Sequence, residues 1–204
     1  MGYARFELVS HQVDVPAAMT LFEYLSVAVS IVLSLAIIRL ADGLRIAAMS
    51  DEPYWVQTLW IVDLLVVCFI HWWTSWSFRD ANWSFPRFVL VLLAPGILYF
   101  LSATLWPDES KSAGSWRDYF FERRRIFFTA LLAYTALATV DGYLVLGAPL
   151  LEPARVGQLA ALALAAIGLS TSSPRAHAVL VLAFTALLVI ASLGLVYRPD
   201  SIAG

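Results

Sequence analysis

The chain has few charged residues and a single cysteine. Charged residues make up 14% of its 204 positions, whereas about 25% is usual for a soluble globular domain. Together with a mean hydropathy of +0.78, this shortage excludes a soluble fold. The 13 basic and 15 acidic residues form no basic stripe, so we expect no nucleic-acid partner. Because Cys68 is the only cysteine, an intrachain disulfide and a thiolate metal cluster are also excluded.

Sequence motifs of membrane-embedded enzymes are missing as well. The chain contains no His-Glu-x-x-His, no Gly-x-Ser-x-Gly and no cysteine pair, the patterns expected of a zinc protease, a serine hydrolase or a redox site. His71 and His177 are expected near opposite faces of the membrane, so they cannot hold one haem iron between them. The sequence therefore predicts no enzyme, no cofactor and no metal site.

What the chain does contain is six long apolar stretches. A helix rises about 1.5 Å per residue and the hydrocarbon core is about 30 Å thick, so about 20 apolar residues span it. The stretches cover residues 21–41, 54–76, 88–106, 126–148, 156–171 and 176–197. They predict an all-α membrane protein, a single domain over residues 1–204 built as a bundle of six transmembrane helices. The fifth stretch covers only about 24 Å, so it either thins the bilayer or extends into residues 153–155.

The sizeable loop in this pattern runs over residues 107–125. Ser115 followed by Asp118 matches a capping box, which predicts a short interfacial helix there. Arg123, Arg124 and Arg125 follow, at the start of the fourth span. We interpret these arginines as a topology signal that contacts lipid headgroups, with specific anion binding as the alternative.

The basic residues also predict an orientation. Six crossings put both termini on one side, with five basic residues, and leave seven on the other: Arg45, Lys111, Arg117, Arg123, Arg124, Arg125 and Arg175. The cytoplasmic side usually carries the excess. Both termini are therefore expected to face outward.

Ionisable residues inside the spans point to function, because a charge at mid-bilayer costs a few kcal/mol and should face the bundle interior. In the second span, Asp63 and His71 share one helical face with Trp60, Val67 and Thr74. Asp63 and His71 are about 12 Å apart along the helix axis. They can therefore belong to one polar ladder but cannot touch directly.

Arg39 and Asp63 are expected at similar depth, because the first two spans form an antiparallel hairpin. An ion pair between them is the simplest way to hold both charges in hydrocarbon. Two interpretations remain open for this pair. It either fixes the packing of the helices, or Asp63 takes part in moving protons or cations.

Glu23, His71 and Asp141 are expected toward the other side of the membrane. A histidine beside carboxylates is suited to proton relay, and the same residue types can bind a metal. The alternative is that Glu23 and Asp141 are ordinary polar residues at the ends of their spans.

Small residues at four-residue spacing form two seams. Ser26, Ser30 and Ser34 predict a packing seam on the first span, with a polar path as the alternative. Gly157, Ala161 and Ala165 form a similar seam on the fifth span. Such seams pack against a neighbouring helix or another copy of the chain, so we expect a homo-oligomer or a larger membrane complex.

The motifs Phe22-Glu23-Tyr24-Leu25-Ser26, His71-Trp72-Trp73 and Arg79-Asp80 resemble those of small multi-pass bacterial membrane proteins without a characterised function. The resemblance covers roughly the first 140 residues. It implies a location in the bacterial inner membrane and implies no activity or site.

Two functions remain in competition. The first is a small channel or transporter in which Asp63, His71 and Asp141, with Glu23 and Arg39, form a proton or cation path. The second is a non-catalytic accessory or assembly subunit of a larger membrane complex. In both cases membrane lipids surround the chain.

Overall fold

A computed structural model describes residues 19–106, 115–147 and 155–196 of the chain. Its six helices are α1 (Leu21–Met49), α2 (Trp55–Thr74), α3 (Phe85–Leu105), α4 (Trp116–Leu144), α5 (Val156–Ser170) and α6 (Pro174–Val196). A 3-10 turn over Ser75–Phe78 continues α2. No strand occurs among the described residues. The predicted all-α membrane bundle of six helices is therefore confirmed.

Five of these helices are long and apolar enough to cross a membrane. The sixth, α5, is apolar but has only 15 residues. The first span was predicted to end near residue 41, but α1 continues to Met49. Its last turns carry an Asp42–Arg45 ion pair with a nitrogen–oxygen distance of 3.6 Å, and both side chains are exposed. This part of α1 therefore projects beyond the hydrocarbon layer.

The predicted interfacial helix is present, but as the first part of α4 and not as a separate element. Ser115 is the N-cap residue, yet its side chain makes no capping hydrogen bond. Its carbonyl oxygen instead accepts from the backbone N–H groups of Asp118 and Tyr119, at 3.0 and 3.2 Å. The capping box was therefore wrong, although the helix does start at this position. Residues 107–114 of the predicted loop lie outside the described residues.

The helices form a ring in the order α1, α3, α4, α5, α6 and α2, and each packs against its neighbours in that order. Helix α2 also contacts α3 and α4, so it lies nearest the centre of the bundle. We call the side where α1 begins and α2 ends the first face, and the side where α1 ends and α2 begins the second face. Helices α3 and α5 therefore begin at the first face, whereas α4 and α6 end there.

Spacing along α1 explains which side of it packs inward. Its buried residues recur every three or four positions: Leu25, Val29, Leu33, Ala36, Leu40, Gly43 and Ala47. The large apolar side chains between them, such as Ile31 and Ile38, are exposed. In a membrane that exposed surface meets lipid, so α1 is stable with apolar side chains on both sides.

Candidate functional site

Asp63 lies on α2, the helix nearest the centre of the bundle, and is held by a residue of α6. It is 1% exposed. The hydroxyl oxygen of Thr185 lies 3.0 Å from one of its carboxylate oxygens and 2.9 Å from the other. The same hydroxyl lies 2.9 Å from the carbonyl oxygen of Val181, one turn earlier in α6. Asp63 thus joins α2 to α6 inside the bundle.

The predicted ion pair between Arg39 and Asp63 was wrong, because within the described parts of the chain no salt bridge joins them. Helix α1 meets a different side of α2, where the indole N–H of Trp72 donates to the Ser30 hydroxyl at 3.2 Å. Trp72 follows Asp63 by nine residues, or two and a half turns, so the two lie on opposite sides of α2. Asp63 thus faces α6 instead of α1, and the expected depth of Arg39 stays a prediction.

His71 contacts α4 through a tyrosine. The Tyr134 hydroxyl lies 3.2 Å from His71 Nδ1, and the donor depends on the tautomer. The two rings are 6.0 Å apart and tilted by 52°. His71 Nε2 is buried and has no hydrogen-bond partner among the described residues. His71 therefore contacts α4 through one of its two ring nitrogens.

Asp141 lies on the same side of α4 as Tyr134, seven residues and about 10 Å closer to the first face. It is 4% exposed, and its Oδ1 atom has no hydrogen-bond partner in the described chain. His71, Tyr134 and Asp141 therefore form a polar series between α2 and the first-face end of α4.

Glu23 does not join that series. It is exposed and closes a capping box with Thr20, whose backbone N–H donates to the Glu23 carboxylate at 2.7 Å. In return the Glu23 backbone N–H donates to the Thr20 hydroxyl at 3.2 Å. This contact fixes the start of α1. A part for Glu23 in a relay stays a prediction.

The serine seam lines an open groove on the outside of the bundle. Ser26, Ser30 and Ser34 border a cavity of about 950 Å³, together with the tryptophans Trp72, Trp73 and Trp76. The Ser26 and Ser34 hydroxyls donate to carbonyl oxygens one turn earlier in their own helix. Ser30 also accepts from Trp72 of α2, so part of the seam faces α2, and its use toward another chain stays a prediction.

The three arginines at the start of α4 behave differently from one another. Arg123 and Arg125 are exposed, whereas Arg124 donates to the carbonyl oxygens of Phe121 at 2.8 Å and Thr171 at 3.3 Å. Arg124 therefore ties α4 to the end of α5. Contact with lipid headgroups remains a prediction for all three.

On the second-face side of Asp63 the core is filled by aromatic rings, which we call the aromatic block: Trp60, Phe127, Phe128 and Phe184. Trp60 is fully buried, one turn from Asp63. Its ring centroid lies 5.2, 5.5 and 5.0 Å from those of Phe127, Phe128 and Phe184. These contacts join α2, α4 and α6 at one depth.

Sequence reasoning missed Thr185, Tyr134 and Arg155. Arg155 is buried at the start of α5 and donates to the carbonyl oxygen of Thr139 at 2.9 Å. Its guanidinium occupies the space where a side chain at Gly142 would lie. In the sequence Arg155 stands in a loop, and Thr185 and Tyr134 stand in apolar spans, so no local pattern marks them.

The described residues contain no group of three or more His, Cys, Asp or Glu that could hold a metal ion. Comparison with protein-family models, with curated proteins and with solved structures found no match to this chain. The coarse conclusion is that the chain is a multi-pass membrane protein, a bundle of apolar helices with polar groups buried inside it.

Proposed function

We propose that the protein is a small proton- or cation-linked channel or transporter, and that Asp63 is the carboxyl group that binds the ion. The observation that carries this proposal is the pairing of a buried carboxyl group in α2 with a neutral hydroxyl group in α6. Ionisable residues inside a membrane usually belong to substrate or ion pathways. Among the described residues no basic side chain lies within ion-pair distance of Asp63.

Counting hydrogens supports the choice of Asp63. A threonine hydroxyl has one hydrogen to donate, and Thr185 faces both oxygens of Asp63 and the carbonyl oxygen of Val181. When Asp63 is ionised, Thr185 donates to the carboxylate. When Asp63 carries a proton, it donates to Thr185, which then donates to Val181. Both forms of the carboxyl group are therefore hydrogen-bonded, as a group that exchanges a proton requires.

The series of His71, Tyr134 and Asp141 supports a route between Asp63 and the first face. It offers imidazole, phenol and carboxyl groups, all of which can carry or pass a proton. The carboxyl group of Asp63 and the imidazole of His71 belong to α2, and the carboxyl group of Asp141 belongs to α4. We propose no part for Arg39 beyond its own contacts, since Asp63 faces α6.

The test is a flux measurement on purified protein in liposomes that contain a pH-sensitive dye and are given a potassium diffusion potential. Wild-type protein is expected to let this potential drive protons across the membrane, so that the internal pH changes faster than in empty liposomes. Asp63→Asn, which keeps the shape of the side chain, is expected to abolish the flux. The same assay with a sodium or potassium gradient distinguishes a cation from a proton.

Glu52→Gln is the matched control, since it removes an exposed carboxyl group from the loop between α1 and α2. It is expected to conduct like the wild type. Size-exclusion profiles and thermal melting in detergent establish that each variant is folded. A folded Asp63→Asn variant with wild-type flux would overturn the proposal.

The groove beside α1 favours a second function, that of an accessory subunit. A serine seam with tryptophans along its border is the kind of surface against which a transmembrane helix of another chain packs. If wild-type protein conducts neither protons nor cations and is purified from its native membrane in a larger assembly, the accessory function is preferred. Cross-linking from Ser30→Cys in a Cys68→Ala background would then identify the partner or a second copy.

For the cellular setting we propose the bacterial inner membrane, with the first face outward. Support comes from the resemblance of the motifs in α1 and α2 and from the excess of basic residues at the second face. Cysteines introduced one at a time at Asn82 and Glu52, in intact cells of a Cys68→Ala strain, test the orientation. Only Asn82→Cys is expected to react with an impermeant thiol reagent from outside.

A further inference from the structure

The surroundings of Asp63 differ sharply between its two sides along the bundle. Toward the second face lies the aromatic block, with Trp60 one turn away and fully buried. Behind it lies a second aromatic layer, in which the ring of His177 is 5.5, 5.3 and 5.2 Å from those of Phe120, Phe121 and Phe128. Closely packed rings leave no space for water, so an ion cannot pass there without a rearrangement of the core.

Toward the first face the core contains polar groups beyond Val67, which is the buried residue one turn from Asp63. His71 follows on α2, and Tyr134 contacts it from α4. His71 Nε2 and Asp141 Oδ1 are buried polar atoms without a hydrogen-bond partner among the described residues, as are Trp60 Nε1 and His177 Nδ1 toward the second face. The latter two belong to rings whose centroids lie 5.0–5.5 Å from those of neighbouring aromatic rings, whereas toward the first face the one ring contact of His71 among the described residues is with Tyr134, at 6.0 Å. Unpaired polar atoms are hydrated far more readily than aromatic carbon, since buried polar groups normally find a protein or water partner.

One contact crosses this polar region. The Tyr134 hydroxyl meets His71 Nδ1 at 3.2 Å, and the centroids of the two rings are 6.0 Å apart. In depth, the contact lies between Asp63 and the first face, because His71 follows Asp63 by eight residues, or about 12 Å. It joins α2 to α4, so separation of these helices at the first face requires it to break.

We infer that the Asp63 site opens to the first face alone, and that Tyr134 is the positioning residue that keeps this entrance closed through its contact with His71. The link between this opening and ion transport rests on the proposed function. The direction of opening, however, can be measured without any transport. In this inference the aromatic block forms the end of the site that stays closed, and Tyr134 lies at the end that opens.

Cys68 is a native reporter of this opening, since it is the only cysteine and lies in depth between Asp63 and His71. The experiment uses the full-length protein in sealed vesicles and a membrane-impermeant cationic thiol reagent, added outside or trapped inside. Asn82→Cys and Glu52→Cys, each in a Cys68→Ala background, show which face each addition reaches. Both positions are exposed, Asn82 at the first face and Glu52 at the second.

Reagent at the first face is expected to modify Cys68 about tenfold faster than reagent at the second face, because modification of a buried thiol follows local opening. Tyr134→Phe keeps the ring and removes the hydroxyl, so it should raise the first-face rate several-fold and leave the second-face rate unchanged. Equal rates from both faces, faster modification from the second face, or no effect of Tyr134→Phe would each overturn the inference. Flux in the same vesicles is scored separately, so a protein that conducts nothing contradicts the proposed function without deciding the direction of opening.

Discussion

The Thr185 hydroxyl lies 3.0 and 2.9 Å from the two carboxylate oxygens of Asp63, and this contact joins two residues that are 122 positions apart in the chain. Removing the hydroxyl leaves a buried carboxyl group without its donor. We therefore expect Thr185→Val to lower the free energy of unfolding by about 1–3 kcal/mol. Thr185→Ser keeps the hydroxyl and is expected to lose less. Thermal or denaturant unfolding in detergent measures both.

A double-mutant cycle with Asp63→Asn separates this hydrogen bond from general packing. Because the two residues are in contact, their effects should be coupled by about 0.5–3 kcal/mol. Additive effects of Thr185→Val and Asp63→Asn would mean that the contact contributes nothing to stability.

Gly168 of α5 packs directly against the ring of Phe128 in α4. A Cβ atom there would overlap the ring of Phe128, whereas a Cβ atom at Gly157 would lie 3.8 Å from a methyl group of Leu187, an ordinary contact. Gly168→Ala is therefore expected to destabilise the protein by about 1–3 kcal/mol. Gly157→Ala, in the same helix, should be neutral or stabilise it by up to about 1 kcal/mol. Equal melting temperatures for the two variants would contradict this account.

Tyr54 precedes α2 at the second face, outside the membrane-spanning helices. Burial raises the pKa of its hydroxyl above the usual value, and the positive charge of Arg117 partly offsets this shift. Because the pKa is higher in the folded state, the stabilising contribution is complete below the unfolded value of about 10 and is lost as the pH rises through the folded value. Tyr54→Phe should therefore reduce the loss of stability above pH 10, as measured by unfolding across that range.

Arg117→Gln is the companion variant for Tyr54. It removes the nearby positive charge and should raise the pKa of Tyr54 further, which an ultraviolet titration of tyrosine ionisation would detect. An unchanged or lower value would show that Arg117 has no electrostatic effect on this hydroxyl.

Variants of Glu23 distinguish a role in proton relay from a role in capping α1. Glu23→Gln keeps a side chain that can accept the backbone hydrogen bond, so the flux and the stability should both stay close to wild type. Thr20→Ala removes the other half of the capping box and is expected to cost about 0.5–2 kcal/mol. A folded Glu23→Gln variant without flux would instead support the polar path that includes Glu23.

The membrane class, the helix number and the short fifth helix were predictable, because they depend on the length and polarity of continuous stretches. The helix ends were less so. Helix α1 runs past residue 41 and α4 starts at Trp116, because a helix can continue into water where its charged residues are solvated. No pattern of local hydropathy separates that exposed part from a loop.

For the candidate site, the sequence predicted the positions of the polar residues along their helices but not the residues that they contact. Periodicity placed Asp63 and His71 inside α2, at levels that the structure retains. It could not indicate that Asp63 meets Thr185 and that His71 meets Tyr134, since both partners stand in apolar helices far along the chain. The pairing of Arg39 with Asp63 failed for the same reason, because similar depth does not specify the side of α2 that each neighbour covers.

Solvent and architecture thus follow from the amino-acid order alone, since about 20 apolar residues in a row must form a helix in lipid and satisfy their own backbone. The partners of the buried polar groups follow from the order in which the six helices pack, with α2 nearest the centre. That order arises from close contacts such as Gly168 with Phe128 and Trp60 with Phe127, which exist only once helices distant in the chain have packed together.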